Sequence, residues 1–256
     1  MSPVVPPSPR TGAQLLTALE QMGPRPVLAW YGEAARIELS GHVLANWVIK
    51  SIGHLHDEID LAPGDAVVLD LPPHWKRLAL ALASWSLGAA VTVLEREAES
   101  ASSGKLPDGV EEPRVVVTDQ PDSSLAESAD EVLALEAVSL APRYSGELPP
   151  LVHDWLAEVR GSSDRLGVAL PAWSGPAAQP GAPAQPGAAA QPGAAAQPGA
   201  AARTDLAVPP RLLVEDDGLA ALPRVLSALL AGGGIVGPAS AVTARQAEDE
   251  GLTAGR

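Results

Sequence analysis

The sequence predicts an α/β protein with a mostly parallel sheet flanked by helices, and three observations carry that prediction. "LDLPPHWKRLALALASWSLGAAVTVLE" (Leu69–Glu95) reads as strand, buried helix and strand, with Gly88 where the helix should stop. "AVVLDL" (Ala66–Leu71) is a short, continuous apolar run of the kind a central parallel strand shows. After residue 203 the same order returns, with "RLLVED", a helical "DGLAALPRVLSALLAGG" and "GIVG". A β-α-β unit implies a right-handed crossover and a parallel pair. The second unit is therefore expected to continue the sheet of the first.

Residues 1–10 hold four prolines and read as a flexible arm. A helix from Thr11 to Met22 follows, with Leu15, Leu16 and Leu19 as its apolar stripe and Gly23-Pro24 as its stop. "PVLAWY" and "RIEL" are short strands with a turn at Gly32. Ser40 then caps a long helix, in which Val43, Leu44, Trp47, Val48, Ile52, Leu55 and Ile59 recur every three or four residues. Pro63-Gly64 is a turn, and Pro72 and Pro73 suit the start of a helix from His74 to Leu87. That helix is apolar nearly all round, so it is expected between other elements. "PRVVVTD" (Pro113–Asp119) and "DEVLALEAV" are further strands, and "LVHDWLAEV" is a short helix. "AVTARQAEDEG" is the last helix.

Between residues 176 and 202 the chain is almost only Ala, Gln, Pro and Gly, with Gln-Pro-Gly recurring at 179, 185, 191 and 197. A period of six residues suits a left-handed β-helix, but only Ala is available to fill such a core. The segment instead reads as a disordered hexapeptide-repeat insert. Residues 11–175 and 203–256 then form a single α/β domain around it.

The composition narrows the function. The formal net charge is −14, and between Glu95 and Glu136 twelve acidic residues face three basic ones. Such a run reads as a solvated face and argues against nucleic acid and anionic lipid as partners. The absence of cysteine excludes disulfides, thiolate metal sites and a Cys nucleophile. The N-terminus lacks the basic and apolar regions of a signal peptide, and no window approaches 18 uninterrupted apolar residues, so a cytoplasmic protein is expected.

The order of motifs from "PVLAWYGEAARIELSGHVLANW" to "GDAVVLDLPPHWKRLALALASWSLGAAVTVL" resembles the start of the adenylate-forming (AMP-binding, acyl-CoA synthetase-like) superfamily. Ile37-Glu38-Leu39, Leu44-Ala45, Pro63–Val67 and Leu82–Ala89 stand where that family has a hairpin signature, a helix core, a turn with its strand, and a helix end. "ELSGHVLANWVIK", "LPPHWK" and "LPPLVHDWLAEVRGSSDR" are similar, more closely, to short actinobacterial relatives of that superfamily with no known function. The resemblance implies the fold of the family's N-terminal subdomain.

The family's chemistry does not carry over residue by residue. Its ATP phosphates are held by a Ser/Thr/Gly-rich loop followed by Pro-Lys-Gly, which would fall between about Leu166 and Asp205. That stretch offers one Ser-Gly pair, Ser174-Gly175, with no Thr-Gly pair and no Lys. The family's adenine, ribose and magnesium motifs and its C-terminal Lys domain would lie beyond Arg256. No catalytic, cofactor-binding or metal-binding residue is therefore assigned, and no cofactor is expected. The reading is a non-catalytic relative acting as a binding or interaction module, with a partner protein or a second copy covering its sheet edge. The alternative is part of an acyl-adenylating ligase that needs a separate subunit.

Four local candidates were weighed against plainer readings. "AGGGIVG" (Ala231–Gly237) lacks the Lys of a phosphate loop and reads as a helix stop. In "GHLHDE", His54 and His56 lie about 200° apart on a helix and cannot share an ion, so these residues with Asp57 and Glu58 read as structural or solvent-facing. "SSGK" (Ser102–Lys105) has the S-x-x-K spacing without its partner motifs. Trp75, Lys76 and Arg77 at a helix start could meet an anion, with Trp75 the more natural packing residue.

Overall fold

A computed structural model describes residues 12–32, 36–96, 106, 110, 112–138, 140–178 and 211–252. The arm at 1–10, the Ser102–Lys105 candidate and all of the insert beyond Ala178 lie outside the described residues. The described chain is α/β, with mostly parallel sheets flanked by helices.

Helix α1 (Gly12–Met22) buries Leu15, Leu16, Leu19 and Met22. Strands β1 (Pro26–Trp30) and β2 (Ile37–Ser40) form the expected antiparallel hairpin, with Trp30 opposite Ile37. Ser40 caps α2 (Gly41–Asp57) by accepting from the Val43 N–H. Gly41 lies against α1, where a Cβ would stand 2.2 Å from the Leu19 carbonyl oxygen, so only glycine permits this approach. Strand β3 (Ala66–Asp70) leads into α3 (Trp75–Ser86) and β4 (Ala90–Val93). Pro72 and Pro73 precede the helix rather than open it. His74 is the N-cap, and its Nδ1 accepts from the Lys76 N–H at 3.2 Å.

All twelve residues of α3 are buried, charged ones included. The helix touches α1, α2, β3 and β4, as its apolar circumference requires. Gly88 ends it at φ +81, a conformation that glycine adopts freely.

Strands β5 (Val115–Thr118), β6 (Glu131–Ala134) and β7 (His153–Asp154) complete an all-parallel sheet of order β4-β3-β5-β6-β7. Strand β7 occupies part of "LVHDWLAEV", where a helix was expected. The helix α4 is only Trp155–Glu158, capped by Asp154 through the Ala157 N–H. Edge pairing with Leu133 and Ala134 takes the residues before the cap.

The segment after the insert does not extend this sheet. Strands β8 (Leu212–Leu213) and β9 (Ile235–Gly237), joined by α5 (Leu222–Leu230), enter a second sheet of order β2-β1-β9-β8. Strand β9 lies parallel to β1, with Leu28 opposite Ile235. Strand β9 pairs with the side of β1 that β2 leaves open. Helix α6 (Ala244–Asp249) follows, with a Thr243–Gln246 capping box.

One core joins the two sheets. Leu28, Trp30, Val225 and Ile235 belong to the same buried cluster as Val67, Leu69, Val115 and Leu133. The far face of the five-stranded sheet carries a smaller cluster of Val68, Val116, Leu94 and Leu125. No described helix is long and apolar enough to cross a membrane.

Candidate functional site

In the five-stranded sheet the chain runs from β3 outward to β4, then crosses back to β5 on the other side of β3. Open α/β sheets bind ligands outside the carboxyl ends of the strands at such a switch point, because the loops leaving the two strands diverge there. A cavity of about 390 Å³ lies at this place. Pro72, Pro73 and His74 line it after β3, Asp119 after β5, and Glu136 to Val138 after β6. Trp30 and Gly32 close it from the four-stranded sheet, and Tyr144 and Ser145 from the loop before β7.

The floor of the crevice is a buried polar network. Asp70 and Thr118 end β3 and β5 in register, and Thr118 Oγ1 donates to Asp70 Oδ2 at 3.2 Å. Arg96 returns after β4, donating through Nη1 to Asp119 Oδ1 at 2.6 Å and to the Asp70 carbonyl oxygen at 3.0 Å. Tyr144 donates its hydroxyl to the Asp119 carbonyl oxygen at 3.0 Å, and its N–H is held by the Asp154 carboxylate. Burial raises the Tyr144 pKa above its usual value, and Asp119, Asp122 and Glu136 raise it further. Two carboxylates, Asp119 and Glu136, thus border the crevice, and Arg96 is paired with the first.

Trp30 forms the opposite wall. Its side chain is buried, and its Nε1–H has no hydrogen-bond partner among the described residues. A Cβ on Gly32, which also lines the cavity, would lie 2.6 Å from that nitrogen. Glycine at residue 32 leaves the room that the indole edge occupies. A buried unsatisfied N–H costs about 1–3 kcal/mol, so the donor is set to gain from an acceptor. Its ring meets His74 edge-on at 5.4 Å between centroids.

Beneath the crevice, Arg77 and Asp217 tie the two sheets together. Arg77 Nε and Nη2 donate to the two Asp217 oxygens at 2.6 and 3.1 Å, and Asp217 also accepts from the His74 N–H at 3.0 Å. Burial pushes the Asp217 carboxyl above its usual pKa, and the Arg77 guanidinium opposes that shift. Lys76 Nζ donates to the carbonyls of Glu136 and Val138 at 3.2 and 2.5 Å. The anion that Arg77 meets is thus the protein's own, and Trp75 is a core residue.

The remaining sequence candidates sit elsewhere. Ser174 is at the opposite end of α3, where its hydroxyl bonds the carbonyls of Trp85 and Ala89 at 3.2 and 2.7 Å. Gly175 is close against Trp85 and Trp173. Twelve helical residues, about 18 Å, separate that hydroxyl from the crevice. Ala231–Gly237 forms the stop of α5 and strand β9, with Gly233 N–H bonding the Ala228 carbonyl. His56 is exposed and paired with its neighbour Asp57 at 2.6 Å. His54 is buried and turned away from His56, toward Glu158 and His153, residues that no sequence motif singled out.

No family model matches the sequence. A "TIGR03089 family protein" of Mycobacterium tuberculosis is 33% identical over 151 residues, which are 57% of this chain and 57% of that protein. The chain thus spans little more than half the length of the curated relative it matches. Among solved structures, an acyl-CoA synthetase of Brucella canis is similar at a TM-score of 0.46 and 21% identity, over 61% of this chain and 29% of that one. The NpsA N-terminal subdomain of Klebsiella oxytoca, in complex with 3-hydroxybenzoyl-AMSN, is similar at a TM-score of 0.38 and 12% identity, over 62% and 33% of the two chains.

Proposed function

We propose that this chain is a non-catalytic, adenylate-forming-like domain that binds a small organic cation in the crevice over β3 and β5. We take residues 11–175 and 203–256 as one domain interrupted by the 176–202 insert, a division supported by the pairing of β9 with β1. The observation that carries the functional reading is the charge of the crevice. Asp119 and Glu136 face Trp30, His74 and Tyr144, so carboxylates and ring faces meet in one cavity. Aromatic faces and carboxylates both attract a cation. Carboxylates on the crevice disfavour nucleotide phosphates, and the one Ser-Gly pair of the stretch that would hold them is at the other end of α3, where the Ser174 hydroxyl is used.

The test is a thermal-shift and calorimetric panel on the full chain, with tryptamine, choline and spermidine beside ATP, AMP and CoA. At least one amine is expected to raise the melting temperature, and the nucleotides are not. ATP–pyrophosphate exchange over a pool of carboxylic acids is run in parallel. Robust exchange would overturn the reading and identify an acyl-adenylating component that works with a separate subunit.

A further inference from the structure

At the outer edge of the five-stranded sheet, away from the crevice, three side chains from three elements converge on one point. His54 from α2 brings Nε2 to 2.9 Å from Glu158 Oε2. His153 from β7 brings Nδ1 to 2.8 Å from the same oxygen. One donor atom from each residue lies within 4.8 Å of the other two. We propose that His54, His153 and Glu158 form a binding site for a divalent transition metal of the zinc type. This inference is independent of the function assigned to the crevice.

The chemistry suits that class of ion. Two imidazoles and one carboxylate make a borderline donor set, which selects zinc and its neighbours over calcium and magnesium. Tetrahedral zinc with bonds of about 2.0–2.2 Å separates its ligand atoms by roughly 3.3–3.5 Å. The present spacing has to open by about half an ångström. Glu158 is on the last residue of the one-turn helix α4, and its side chain is 38% exposed, so the movement is small and the fourth position faces water.

The surroundings support ligand roles more than a purely structural pairing. His54 is fully buried, yet its Nδ1 has no hydrogen-bond partner among the described residues. Without an ion Nε2–H points at Glu158; the proton can move to Nδ1, which no described group occupies, and Nε2 can then offer its lone pair to an ion. The other ring nitrogen of His153, Nε2, stands 3.4 Å from Glu131 Oε2, and Glu131 is in turn 3.5 Å from Arg114 Nη1. A carboxylate behind a ligating imidazole orients the ring and strengthens its donor nitrogen. Glu158 Oε1 is steadied by the Asp154 N–H at 3.1 Å, which leaves Oε2 for the ion. Among the described residues His54 has no outer partner of this kind, which sets the affinity below that of fully supported zinc sites.

The experiment is a titration of the full, untagged chain with Co²⁺, followed by its visible d–d absorption, and with Zn²⁺ by calorimetry. One equivalent of each should bind saturably, with the intense bands of a low-coordinate cobalt centre. His153→Ala and Glu158→Gln should each weaken binding by more than about tenfold. His56→Ala, beside an exposed His–Asp pair, should change nothing. Circular dichroism and melting curves confirm that each variant folds. His153 is only partly buried, so its variant keeps the test decisive if a His54 variant fails to fold. Absence of saturable binding by the wild-type chain would overturn the proposal. So would affinity that survives both ligand variants, or that falls in His56→Ala.

Discussion

The two ends of α3 teach different things. At its start, His74, Lys76 and Arg77 are buried among carboxylates and carbonyls, and the crevice opens directly above. At its finish, Ser86, Gly88 and Ser174 meet only main-chain carbonyls and other core atoms. Both ends are fully packed, but only the first collects charge. Charge withdrawn from water stays stable only where partners are fixed in advance. The buried charges at the start of α3 therefore tie together the segments that border the crevice.

The comparison can be broken most forcefully at the Arg77–Asp217 pair. Removing one member of a buried ion pair costs about 3–5 kcal/mol. Asp217→Ala should lower stability in urea by that amount, whereas the double change Arg77→Met with Asp217→Leu should recover most of it. A loss below about 1 kcal/mol for Asp217→Ala would mean that the pair does not hold the sheets together.

At the other end, Ser174→Ala removes hydrogen bonds to two carbonyls and should cost about 1 kcal/mol. Its crevice binding, read by calorimetry with the amine that stabilises the wild type, should be unaltered. An equal loss of binding in this variant would erase the distinction between the ends.

Trp30→Phe sharpens the comparison from the ligand side. It removes an orphaned N–H and leaves a small cavity, two effects of opposite sign that should nearly cancel in stability. Amine affinity should fall by about threefold, because a phenyl ring offers a cation a weaker π face than an indole.

The smallest effect is expected at Glu158. Its burial would raise its pKa, but hydrogen bonds from His54 and His153 hold it below the usual glutamate value. A depressed carboxylate contributes stability above the unfolded pKa of about 4.3 and loses it as the pH falls through the folded pKa. Measured with EDTA present, the stability gap between the wild type and Glu158→Gln should be constant above about pH 5 and shrink below it. The gap should be small, because solvent screens this partly exposed group.

What the sequence revealed follows the range of the physics behind each feature. Helix α2 is legible because Leu44, Val48, Ile52 and Leu55 repeat with the period of one buried face. Helix α3 is legible because its apolar run has no exposed side. Strand β7 is not, because His153 and Asp154 form only two ladder positions beside a run with helical spacing. Which sheet would receive β8 and β9 depends on a vacant side of β1, a property of the assembled fold. The crevice was not visible, since no site residue was assigned from the sequence, and Trp30, Asp119 and Tyr144 reach it from distant segments. His54 drew notice beside His56, yet its partners lie 99 and 104 positions further on and share no local motif with it.

The aromatic rings have one more consequence. Trp30 touches His74, His74 touches Trp75, Trp75 touches Trp47 and Trp47 touches Trp155, each step between 5.3 and 5.8 Å. This relay runs from the crevice wall to the helix that carries Glu158. Indole rings stand at both of its ends, Trp30 and Trp155. The protein's own ultraviolet emission thus reports on both places at once, with no dye attached.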